Sequence, residues 1–152
     1  MADRTEARLI ERGIVLPEPP SAGGSYVAAK EAGHLVYLAG VISTNSNGVI
    51  AGTVGLDRSI QEGYMAARAC ALTQLAVLRK HLGSLELVKN IISVNGYVNA
   101  VAGFPDSPKV IDGASDLFIE LFEDVGHHVR AAVGVSALPR NALVELQMTV
   151  EI

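Results

Sequence analysis

The run of residues 57–82 constrains this chain more than any other segment. Ile60, Tyr64, Ala67, Ala71, Leu75, Leu78 and Leu82 recur at spacings of three and four, which stacks them on one face of a helix. Asp57 or Ser59 is placed to cap its start and Gly83 to end it. A long helix with a single apolar stripe must lay that stripe on another element. The flanking segments offer one: residues 34–40 (HLVYLAG) and 87–99 (LVKNIISVNGYVN) are dense in β-branched and aromatic residues and read as strands. A second helix over residues 110–123 turns Ile111, Ala114, Leu117, Phe118, Leu121 and Phe122 inward.

The rest of the chain fits around these elements. Residues 25–30 predict a short strand that pairs with 34–40 across a turn at Glu31, Ala32 and Gly33, and Tyr26 would reach a site from it. Asn45-Ser46-Asn47-Gly48 is a turn, with a brief return strand at Val49 and Ile50. Gly96 lies inside a strand and marks a bulge. Residues 130–137 and 142–152 are the last two strands, joined at 138–141. Residues 5–12 read as a short helix stopped by Gly13, after which Pro17, Pro19 and Pro20 hold an extended linker. The order β-β-(β)-α-β-α-β-β predicts an α+β class of split βαβ type, one mixed sheet with both helices on one face. The expected organisation is one domain over 1–152, with 1–21 as an N-terminal helical extension and Pro-rich linker.

Composition narrows the function. The 152 residues carry a net charge of −4 with lysines and arginines scattered singly, so binding to nucleic acid is disfavoured. No apolar stretch is long enough to cross a bilayer and the N-terminus has no apolar leader, which predicts a cytoplasmic protein with no membrane partner. The lone Cys70 sits in an Ala-rich helical run and reads as a small core residue. Adjacent His127 and His128 point to opposite sides of an extended segment, so no metal site is expected. The sequence Gly23-Gly24-Ser25-Tyr26 has no following helix and is a weak phosphate loop. A mean hydropathy of +0.33 is high for so small a chain and predicts that some apolar surface faces another subunit.

Strand alternation singles out Arg130. Val129, Ala131, Val133 and Val135 share one face of the first terminal strand, and Arg130, Ala132, Gly134 and Ser136 the other. On the last strand Val144, Leu146, Met148 and Val150 oppose Glu145, Gln147, Thr149 and Glu151. If both apolar faces pack on the helices, Arg130 and Glu145 share a helix-free floor of small residues. There Arg130 would grip a carboxylate with two parallel hydrogen bonds, and Glu145 would accept a proton or orient a water. A structural ion pair between the two, or two solvated side chains on an open sheet, fits the same spacing.

These residues also resemble a known family. Gly24-Ser25-Tyr26-Val27, Leu38-Ala39-Gly40-Val41, Arg130-Ala131-Ala132-Val133 and Leu138-Pro139-Arg140-Asn141-Ala142-Leu143-Val144-Glu145 are similar to the G-P-Y, S-G-Q, R-S-x-V and L-P-x-x-A-x-V-E landmarks of the RidA/YjgF (L-PSP endoribonuclease-like) family. The resemblance spans roughly residues 22–152. It implies a chorismate-mutase-like fold and a homotrimeric barrel with ligand clefts between subunits. It also implies hydrolysis of 2-imino (enamine) acids to 2-keto acids and ammonia, with neither cofactor nor metal. The implied roles are Arg130 on the substrate carboxylate and Glu145 beside the attacking water, with Tyr26, Gly40, Ala132 and Ser115 lining the pocket. The chain departs from the pattern at Ser25 (for Pro), Val41 (for Gln), Ala132 (for Cys) and Ser115 (for Asn). Those changes leave open a non-catalytic module that binds a small carboxylate metabolite in the same cleft.

Overall fold

A computed structural model describes residues 4–152. Its elements in chain order are α1 (Arg4–Glu11), β1 (Ala29–Ala32), β2 (Leu35–Leu38), β3 (Val41–Ile42), β4 (Thr44–Asn45), β5 (Gly48–Val49), α2 (Ile60–Leu82), β6 (Asn90–Asn99), α3 (Ser107–Phe122), β7 (Val129–Val135) and β8 (Val144–Glu151). The main sheet runs β1-β2-β8-β6-β7, with β3 also on β8. Only β6 and β7 are parallel; the other pairs are antiparallel. The α+β class, the mixed sheet and the helices α2 and α3 on one face agree with the sequence reading.

Local chemistry explains the long elements. Ser59 caps α2 by accepting from the Glu62 amide, while the Glu62 side chain accepts from the Ser59 amide, so two orphan donors are satisfied reciprocally. Asp57 instead accepts from the Thr53 amide. Gly83 ends the helix in the left-handed region at φ 87°. Between sheet and helices lies a continuous core in which Val94, Val98, Leu75, Ile111, Phe118, Leu146 and Met148 are fully buried.

Several boundaries differ from expectation. The first strand begins at Ala29, so Tyr26 precedes it in a bend and its hydroxyl accepts from the Gly23 amide at 3.0 Å. Gly96 is not the bulge, which falls between Ile91 and Ser93. A Cβ on Gly96 would stand 2.5 Å from the Ile111 side chain; the glycine lets α3 settle on the strand. The α1 helix is docked on the core. Leu9 is buried, Glu6 bonds Arg79 at 2.7 Å and the Leu85 amide at 2.9 Å, and Arg8 reaches the Leu121 carbonyl at 2.7 Å.

Candidate active site

The parallel register of β6 and β7 decides which way Arg130 points. It pairs Arg130 with Val94 and Ala132 with Gly96, both on the helix-facing side. Val129 and Val133 fall on the open face, 69% and 48% exposed. This reverses the assignment of β7 made from alternation alone. Arg130 turns toward α3, where Nη1 donates to Asp112 Oδ1 at 2.7 Å and Ser115 Oγ at 3.1 Å, and Nη2 donates to the Pro108 carbonyl at 3.2 Å. Three of its five N–H groups are thereby engaged and two remain. Small Ala132 on the same face is packed partly on the core.

Ser115 is joined to a residue absent from the expected site. Its hydroxyl lies 2.8 Å from His128 Nε2, and His128 Nδ1 lies 2.7 Å from the Gly126 carbonyl. A carbonyl only accepts, so Nδ1 carries the proton and Nε2 accepts from Ser115. The Ser115 oxygen is then free to receive Arg130. Burial, helped by the charges of Arg130 and His127 and opposed by the Gly126 hydrogen bond, holds the His128 pKa below its ordinary value, which favours this neutral state. The sequence carried a signal for His128: it stands two residues before Arg130, in the extended segment leading into β7, where alternation turns both to one side.

Glu145 lies on the other face of the sheet. It pairs with Tyr97 on β6 and Ile42 on β3 and borders a cleft of about 990 Å³ that Tyr26 and Gly40 also line. Within one chain the structure therefore brings together Arg130, Ala132 and Ser115, and separately Tyr26, Gly40 and Glu145, but does not put Arg130 and Glu145 on a common floor. Burial raises the Glu145 pKa. Gly40 lets this carboxylate lie close against the strand break, since a Cβ there would stand 2.6 Å from Glu145 Oε2. Gln74, fully buried on α2, fixes the break between β2 and β3 that carries Gly40: its Nε2 donates to the Ala39 and Leu146 carbonyls, both at 2.9 Å.

Among the described residues no group of three or more His, Cys, Asp or Glu is placed to hold a metal ion, and no helix is long and apolar enough to cross a membrane.

Comparison with known proteins places this geometry. The family described as "YjgF/chorismate mutase-like, putative endoribonuclease" matches residues 6–152. Protein TCP17 of Trypanosoma cruzi is 37% identical over 151 residues, 98% of this chain and 94% of that protein. A 2-iminobutanoate/2-iminopropanoate deaminase of Dermatophagoides farinae is 28% identical over 144 residues, 93% of this chain and 97% of that protein. A solved structure from Shewanella oneidensis, described in the same endoribonuclease terms, has a TM-score of 0.93 at 31% identity, covering 97% of this chain and 99% of that one. The family match runs through both half-sites and the sheet that separates them, and the chain belongs to the YjgF/chorismate mutase-like family.

Proposed function

We propose that the protein is a hydrolytic deaminase of reactive 2-imino acids, working in clefts between the subunits of a homotrimer. The observation that carries this reading is the state of Arg130. Asp112, Ser115 and the Pro108 carbonyl fix its guanidinium, and two N–H groups remain for a carboxylate. It stands on the edge strand β7, whose other face exposes Val129 and Val133. A second copy burying that apolar face is the arrangement the reading requires, with the Arg130 cluster of one subunit reaching the Glu145 cleft of the next around the β7 edge. The deaminase among the relatives supports the same chemistry.

The mechanism needs little from the protein beyond placement. Arg130 holds the substrate carboxylate, which fixes the imine carbon. Glu145, whose pKa burial raises, is a better base than an exposed carboxylate and takes a proton from the attacking water. Water adds to the C=N carbon, and the protonated nitrogen leaves as ammonia when the C=O bond forms. Tyr26 accepts from its own Gly23 amide and keeps its hydroxyl proton to donate to the bound substrate. Positioning and charge complementarity supply the acceleration.

The test couples an amino-acid oxidase, which generates the imine, to keto-acid detection with and without the protein. The expected result is faster keto-acid release, lost in Arg130→Ala. Absence of acceleration across a panel of amino acids overturns the reading. The Asp112 carboxylate, 2.7 Å from the anchor, favours a second reading, a non-catalytic module that binds a small carboxylate. Thermal stabilisation by 2-keto acids without turnover would select it.

A further inference from the structure

Arg140 is set apart from six other arginines of the chain. Arg8, Arg12, Arg58, Arg68, Arg79 and Arg130 each lie within 4.0 Å of a carboxylate. Among the described residues the Arg140 side chain has neither an ion pair nor a hydrogen bond, and it lines the cleft that holds Glu145. No ion pair joins the two, although both line one cleft of about 990 Å³. The charged side chains lining this cleft are Arg140, Lys30 and Glu145, a positive excess in a chain of net charge −4.

The backbone holds Arg140 in place at a conformational cost. Arg140 has φ 57° and ψ 26°, and Asn141 follows at φ 58°. Asparagine tolerates this left-handed region; arginine gains nothing from it. The turn is locked from below. The Gly52 amide donates to the Asn141 carbonyl at 3.0 Å, and buried Asn99 donates through Nδ2 to Asn141 Oδ1 at 3.2 Å and the Ala142 carbonyl at 3.1 Å. A strained position retained beside a cleft points to a use for its side chain.

We infer that Arg140 binds a second acidic group of the substrate, remote from the reacting carbon, and so selects imino acids that carry a distal carboxylate. The imine rests on the deaminase reading above; the distal anion does not. Arg130 has donors for one carboxylate, and Arg140 supplies the anchor for another.

Two imines of matched length test this, one formed from glutamate and one from norvaline, which has a methyl where glutamate has its distal carboxylate. The protein is expected to favour the glutamate imine in kcat/KM by about tenfold. Arg140→Asn removes the charge with a residue suited to positive φ. It should collapse that ratio, chiefly through KM, while the melting temperature rises; Arg140→Lys should keep part of the preference. An unchanged ratio in Arg140→Asn overturns the inference. If neither these imines nor the rest of the panel is hydrolysed faster than without the protein, the deaminase reading fails, and calorimetry of 2-oxoglutarate against 2-oxopentanoate decides the anion site alone. Tighter 2-oxoglutarate binding that Arg140→Asn abolishes sustains the site, and equal binding of the two acids overturns it.

Discussion

The Arg130 cluster and the Glu145 cleft are built on opposite principles. Around Arg130 the hydrogen bonds run in one direction, from guanidinium to Ser115, from Ser115 to His128 and from His128 to the Gly126 carbonyl. That network costs little to keep rigid, because each member is fixed by the next. Around Glu145 the polar groups are left open: the carboxylate is half-buried and raised in pKa, Tyr26 is bonded to its own backbone, and Arg140 is unpaired. In the proposed reaction the first region holds a charge that does not change, and the second serves water and the groups whose protons move.

The sharpest way to break this contrast is to keep the charge and remove the fork. Arg130→Lys retains a cation but cannot bond Asp112, Ser115, Pro108 and a carboxylate in one plane. It should lower kcat/KM by roughly a hundredfold or more, read in the oxidase-coupled assay; near-wild-type activity would mean that charge alone suffices and that the network is incidental. Mixing the two half-sites is the next test. Arg130→Ala and Glu145→Gln should each be inactive. If a cleft takes one half from each of two subunits, co-refolding the variants in equal amounts should restore about a quarter of wild-type activity. No recovery in a mixed trimer, with the trimer verified by light scattering against the 15.9 kDa chain, would overturn the intersubunit cleft, since within one chain the two residues lie on opposite faces of the sheet.

The division of the site was the part of the fold least legible in the sequence. The α2 stripe, the Ser59 cap and the Gly83 stop were plain because helical periodicity and capping are local. The orientation of β7 was not. Alternation separates Val129 and Val133 from Arg130 but does not say which set meets the helices, and equating apolar with core gave the reverse of what the β6 register imposes. Those valines are apolar on a face that, among the described residues, stays open to solvent. Tyr26 was displaced for a related reason: residues 25–28 make no strand pairing, and the phenol folds back on Gly23. Adjacent histidines suggest a metal before a network, yet His128 stands two residues before Arg130 and alternation turns both to one side.

A smaller change within the Glu145 cleft probes its open side. In Gly40→Ala the new Cβ comes closest to the Glu145 carboxylate oxygen, at 2.6 Å, and that flexible side chain is able to swing away. The fold should survive and kcat fall by about tenfold. Because burial raises the Glu145 pKa, the wild-type rate should decline as pH falls through a value above the ordinary carboxylate range. If the displaced carboxylate becomes better solvated in Gly40→Ala, that limb should move to lower pH. An unmoved limb would assign the titration to another group.

The smallest effect on turnover, and the most direct test of rigidity, is expected from Ser115→Ala. The substitution leaves His128 Nε2 without its donor and one Arg130 N–H without its acceptor, in a partly buried position. An unmade hydrogen bond of this kind costs about 1–3 kcal/mol, measurable by chemical denaturation, while KM should rise only a few-fold because Asp112 and the Pro108 carbonyl still hold the guanidinium. The pH dependence has a definite sign. The folded His128 pKa lies below the unfolded value near 6.5, so the unfolded chain binds the proton more tightly, and stability from this group is present above pH 6.5 and lost as pH falls through the folded pKa. Removing the Ser115 donor takes away a bond made only to neutral Nε2, which moves the folded pKa back up and flattens the acid limb of the stability curve. An acid limb as steep in Ser115→Ala as in the wild type would show that the serine does not set the protonation state of His128, and the Arg130 cluster would then be a set of separate contacts rather than a relay.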